Sequence, residues 1–92
     1  MRTNEQLLIA YKALSHPIRL KAIIEIAKNP GISFSELLEK LAVKSSLLAY
    51  HLAVLKSADL VTIRYERKSK KVSHYYLTEF GERILKEIHF EK

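Results

Sequence analysis

Residues 33 to 60, SFSELLEKLAVKSSLLAYHLAVLKSADL, constrain the fold more than any other stretch of this 92-residue chain. Ser33 and Glu36 stand at capping-box spacing, where each side chain satisfies a backbone donor of the other at a helix start. Leu37, Leu38 and Leu41 then face inward along a brief helix, and Ala42-Val43-Lys44 is the turn. Ser45 or Lys44 opens a second helix that runs to about Ala58. Leu48, Leu52 and Leu55, at i, i+4 and i+7, form its buried stripe. His51 and Val54 flank the stripe, and His51 reads as a partly buried packing residue. Ser45, Ser46, Ala49, Tyr50 and Ala53 fall on the opposite side, so the outward face carries little charge. The stretch reads as two short helices joined by a tight turn.

The flanks complete an architecture. Residues 4 to 14 read as a first helix, with Leu7, Leu8, Tyr11 and Leu14 on one side. Ser15-His16-Pro17 breaks and restarts the chain, with Ser15 as the cap and Pro17 in a first turn where its missing N–H has no partner to lose. A second helix runs to about Lys28, with Leu20, Ile23, Ile24 and Ala27 at helical spacing, and Asn29-Pro30-Gly31 stops it. Ile32 bridges into a short strand. After the helix pair, Val61 to Glu66 alternates apolar and polar, and Val72 to Leu77 is a second strand. Arg67-Lys68-Ser69-Lys70-Lys71 is the tip of that hairpin. Thr78 caps a last helix carrying Phe80, Ile84, Leu85 and Ile88. The order is α-α-(β)-α-α-β-β-α, mainly α with a small β-hairpin wing (α+β): a winged helix-turn-helix filling residues 1–92 as a single domain.

Composition narrows what such a domain does. A chain of this size buries only roughly 60 to 65% of its unfolded surface. Yet 48% of its residues are hydrophobic, so some apolar surface is expected between subunits. Sixteen Lys and Arg against ten acids give a net charge of +6, which suits a polyanionic partner. The absence of cysteine excludes disulfides, thiolate zinc sites and cysteine nucleophiles. No apolar run approaches the roughly 20 residues of a membrane span. Met1-Arg2-Thr3-Asn4 leads straight into an amphipathic helix with no signal peptide, so the expected location is the cytoplasm. Scarce Asn, Gln and Met beside abundant Lys, Glu and Ile lean toward a heat-adapted source.

The charge is concentrated. Val61 to Leu77 holds Arg64, Arg67, Lys68, Lys70 and Lys71 against Glu66 alone, which places +4 of the net +6 in the hairpin. About five to seven phosphate contacts per subunit would make binding steeply salt-dependent, with a log–log slope of about −0.9 per phosphate. The bland alternative is a solvated tip that protects a sheet edge. Ser45 and Ser46 sit where helix N–H groups and the dipole favour a phosphate, or one of them simply caps. Tyr50 can bond a phosphate or base edge, or pack on its own helix. Leu47 and Ala49 can touch thymine methyl groups but cannot make bidentate bonds to guanine or adenine; the alternative for Leu47 is burial against the preceding helix. Lys44 and Lys56 bracket the helix as phosphate partners or solvated lysines. His16, His74 and His89 are scattered and form no metal-ligand run, so no metal and no cofactor is expected. A single Asp, no Gly-rich phosphate loop and no Ser-His-Asp order argue against an enzyme. Leu7, Leu8, Tyr11, Leu14, Phe80, Ile84, Ile88 and Phe90, on the first and last helices (about 4–14 and 79–90), are either core or a two-fold dimer seam. The apolar excess favours the seam.

From Ala13 to Leu77 the chain resembles the arsenic-repressor-like (ArsR-like) winged-helix transcriptional regulators of archaea and bacteria. The matching pieces are ALSHPIRLKAI at 13 to 23, KSSLLAYHLAVLKSADLV at 44 to 61 and the wing ending in YYL at 75 to 77. The continuation YYLTEFGERIL is similar to the end of other winged-helix regulators, including multiple-antibiotic-resistance-type ones. The resemblance implies a homodimer built from the first and last helices, with helix 45–58 in the major groove. The chain departs from the family in having Asp59 where Gly is frequent, Leu47 and Ala49 where Ser or Thr is usual, and no cysteine ligands.

The expectation is a homodimer that binds double-stranded DNA with sequence preference and regulates transcription. Two rivals are a non-specific chromatin or RNA-binding protein and a winged-helix protein-interaction module.

Overall fold

The computed structural model describes residues 2–66 and 72–88. Five helices and three strands follow in the order α1 (Asn4–Ala13), α2 (Pro17–Lys28), β1 (Ile32–Ser33), α3 (Phe34–Leu41), α4 (Ser45–Ser57), β2 (Val61–Tyr65), β3 (Ser73–Leu77) and α5 (Glu79–Ile88). The strands form one antiparallel sheet in the order β1-β3-β2. Its register pairs Val61 with Leu77, Ile63 with Tyr75 and Arg64 with His74, and pairs Ile32 with Tyr75 on the other side of β3. The winged helix-turn-helix expected from the sequence is the fold observed.

Local chemistry sets the helix boundaries. The Ser33–Glu36 capping box closes the start of α3, and the two hydrogen bonds from Ser33 hold the Glu36 carboxyl below its ordinary pKa. A second capping box, Thr3 with Gln6, opens α1. At α2 the cap is His16 rather than Ser15: His16 Nδ1 accepts from the Ile18 N–H at 3.1 Å. Ser15 instead donates its hydroxyl to the Lys12 carbonyl at 2.7 Å, at the end of α1. Proline at position 17 puts a residue without an N–H in the first turn, so the first free donor is Ile18, within reach of an imidazole.

The core gathers Ile23, Ile26, Leu37, Leu48, Leu55, Leu60 and Ile84, all fully buried. In α1 the buried residues are Ala10 and Ala13, with Leu14 just past the helix end. Of the four residues expected on one side of this helix, Leu8 and Tyr11 are exposed, Leu7 is partly buried and Leu14 is buried. Small alanines let α1 lie close against its neighbours, and apolar periodicity weighted toward large residues points one position off. Leu14, Phe80 and Ile84 are buried in the protomer's own core.

The turn after α4 is tied to the start of α5. Asp59 adopts φ 63°, the left-handed conformation that Asp accommodates better than most residues. The Thr78 hydroxyl donates to the Asp59 carbonyl at 2.6 Å and accepts from the Gly81 N–H at 2.8 Å, while the Thr78 N–H bonds the Leu60 carbonyl. Arg2 closes the junction from outside, paired with Asp59 at 2.6 Å and lying 4.1 Å over the Phe80 ring.

Candidate nucleic-acid interface

The helix-turn-helix is α3, a turn and α4. Ala42 ends α3 at φ 54° and accepts no side-chain help, donating its N–H to the Leu38 carbonyl. Lys44 is the N-cap of α4 and makes no side-chain cap hydrogen bond. The other four helices all begin with a side-chain cap, from Thr3, His16, Ser33 and Thr78. The first-turn N–H groups of α4 therefore keep their bonding capacity, at the positive end of the helix dipole. Ser45 and Ser46 are exposed beside them and neither serves as the cap.

Leu48, His51, Leu52 and Leu55 are buried and hold α4 against the core. The opposite face is open. Leu47 is 40% exposed and Tyr50 59% exposed, so Leu47 is not buried against α3. Ala49, Ala53, Lys44 and Lys56 are exposed as well. Between Lys44 and Lys56 this face presents only two hydroxyls near its start, a phenol and aliphatic carbon. The Tyr50 ring stands edge-on to His51, with centroids 5.2 Å apart, which gives the phenol a fixed base.

The hairpin base is braced. Arg64 is exposed and its guanidinium lies 4.8 Å over the Tyr76 ring, a cation–π contact that holds the charge close to the sheet. The His74 Nδ1–H donates to the Gly31 carbonyl at 2.9 Å, and its Nε2 lies 3.5 Å from a Glu66 carboxylate oxygen. Arg64 and Tyr76 are on the outer face of the sheet, opposite the face carrying Val61, Ile63 and Tyr75. Arg67, Lys68, Lys70 and Lys71 lie outside the described residues, as does Phe90. Two residues escaped the sequence reading. Tyr65 shares the inward parity of Val61 and Ile63 but is exposed, as is Val72 at the other side of the hairpin base. Both lie past the core's edge, where alternation still runs but no described residue covers the side chain; only their distance from the helix pair could have signalled it.

On α1, Leu8, Ile9 and Tyr11 are exposed. The Tyr11 hydroxyl donates to Glu87 of α5 at 2.6 Å. That hydrogen bond raises the pKa of the phenol and links the two helices at the surface. Leu7 and Ile88 are partly buried against the core. Among the described residues no group of three or more His, Cys, Asp or Glu gathers as a metal site, and no helix is long and apolar enough to cross a membrane.

A helix-turn-helix flanked by a two-stranded wing defines a class of DNA-binding domains. The winged helix-turn-helix DNA-binding family matches residues 16–62, just over half of the chain, and the chain belongs to it. No curated protein sequence matches significantly. Among solved structures, the transcriptional regulator HlyU from Vibrio vulnificus superposes with a TM-score of 0.75 at 29% identity, over 91% of this chain and 84% of its own. MarR superposes at 0.75 and 20% identity, over 88% of this chain. FabT from Streptococcus pneumoniae, solved in complex with DNA, superposes at 0.71 and 18% identity, over 90%. The chain spans 62% of the length of both MarR and FabT.

Proposed function

We propose that the chain is a cytoplasmic, homodimeric transcriptional regulator that places α4 of each protomer in the major groove of double-stranded DNA. The observation that carries this reading is the open face of α4: a helix start with no side-chain cap and a solvent-facing Tyr50 beside exposed Ser45 and Ser46. Phosphates would take the free N–H groups, the serine hydroxyls, Lys44 and Lys56. The basic hairpin, with Arg64 and the tip residues Arg67, Lys68, Lys70 and Lys71, would lie along the flanking backbone or minor groove. Exposed Leu8 and Tyr11 favour a seam along α1, with α5 beside it. Two-fold symmetry would set the recognition helices about 34 Å apart, one turn of DNA, on a near-palindromic site. HlyU of V. vulnificus supports a regulatory role, and FabT supports DNA as the partner. Placement among the arsenic-repressor-like regulators rests on the sequence pieces at 13–23, 44–61 and 75–77.

Leu47, Ala49 and Ala53 offer only carbon to a base edge, so thymine methyl groups are the features this helix can read directly. That same poverty of polar groups favours a second reading, a non-specific chromatin or RNA-binding protein. Competition binding separates them. A preferred duplex is expected to outcompete random duplex and duplex RNA by about a thousandfold. Replacing half-site thymines under α4 with deoxyuridine, which removes only the methyl, is expected to weaken binding by about 1 kcal/mol per methyl contact. Equal affinity for all duplexes, with no effect of deoxyuridine, would sink the sequence-preferring reading.

A further inference from the structure

His51 is on the core side of α4, 2% exposed, and its Nε2 has no hydrogen-bond partner among the described residues. Its Nδ1 lies 3.1 Å from Arg19 Nη1. A guanidinium only donates, so Nδ1 accepts and the ring proton of the neutral imidazole sits on Nε2. The Nε–H of the same Arg19 donates to the Ala13 carbonyl at 2.5 Å. One side chain of α2 thus ties the last turn of α1 to the middle of α4. His16, the cap of α2, completes the cluster with its ring centroid 4.3 Å from that of His51.

We propose that the Arg19–His51 hydrogen bond positions α4 against α1 for DNA binding, and that proton uptake at His51 breaks the bond and releases the DNA. The proposal rests on the DNA-binding reading above. An imidazolium carries N–H at both nitrogens, so Nδ1 can no longer accept from Arg19. Two cations would then face each other at a contact where the imidazole is buried. The charged and titratable groups facing His51 are Arg19 and His16 from α2 and Tyr50 from its own helix. From α1, Lys12 borders the same surface groove as Arg19. No carboxylate is among them to stabilise the charged ring. Burial first, then His16 and Arg19, hold the His51 pKa below the ordinary histidine value. A depressed pKa in the seated state means that its contribution is complete above the ordinary value, about 6.5, and is lost as pH falls through the lowered one.

The test is DNA affinity by fluorescence anisotropy across the mildly acidic range at constant ionic strength. A basic domain ordinarily gains affinity for DNA as its histidines charge. Wild type is expected to lose about tenfold instead, the worth of one hydrogen bond to a charged group. His51→Asn keeps an acceptor near the Nδ1 position and cannot take up the proton; its acid loss should vanish. Arg19→Met keeps the apolar stem and removes both bonds; it should bind about tenfold more weakly at neutral pH and show no acid loss. Should His51→Asn not fold, the imidazole titration of His51 in the wild type, followed by NMR, decides: bound DNA should lower its pKa further. An acid loss that persists in His51→Asn, or a His51 pKa indifferent to DNA, would overturn the proposal alone. No duplex binding at any pH would overturn the DNA-binding reading and the proposal with it.

Discussion

Gly81→Ala is expected to destabilise the domain by about 3 kcal/mol, a large share of the stability of a small fold. A Cβ at position 81 would stand 2.1 Å from the Leu60 carbonyl oxygen and 3.0 Å from its carbon. Neither side can give way by rotating a side chain, because both are backbone. Leu60 is fully buried, its N–H bonds the Leu55 carbonyl, and its own carbonyl receives the Thr78 N–H. Relief requires α5 to move off the end of α4, which breaks the Thr78 junction with it. Thermal unfolding followed by circular dichroism should show the midpoint lowered by about 12 to 24 °C. A shift of a degree or two would mean that the α4–α5 junction is not as close as described.

Reversing three charges in the hairpin, Lys68→Glu with Lys70→Glu and Lys71→Glu, is expected to weaken DNA binding by about a hundredfold or more at moderate salt. The change removes three of the sixteen basic residues and brings the net charge from +6 to zero. If each lysine neutralises a phosphate, the log–log salt slope should become shallower by about 3. Unchanged DNA affinity would favour the protein-interaction module, which has no use for a basic wing.

The helix pair was legible because its signals are local. The Ser33–Glu36 box and the Leu48–Leu52–Leu55 stripe each depend on residues within a few positions. The Thr78 cap was legible for the same reason. Which apolar residues of the first and last helices turn inward depends on distance in space. Ala10 and Ala13 form the inward side of α1 only because neighbouring helices approach closely enough to need small residues there. Phe80 and Ile84 serve the protomer's own core because the turn at Asp59 and Leu60 lays α5 across it. His51 was read as a packing residue and is buried on the core side of α4, but its hydrogen bond to Arg19, 32 positions earlier in the chain, left no local signal. The cap of α2 was read as Ser15 and is His16, because Pro17 leaves Ile18 as the first free donor, within reach of the imidazole.

Selection of bound duplexes from a random pool tests the central reading most directly, because it demands DNA binding, two-fold symmetry and base preference together. The expected result is enrichment of a near-palindromic site with half-sites centred about 10 base pairs apart and thymines clustered where α4 lies. Retention of the pool without enrichment, or enrichment of single sites with no symmetry, would contradict it.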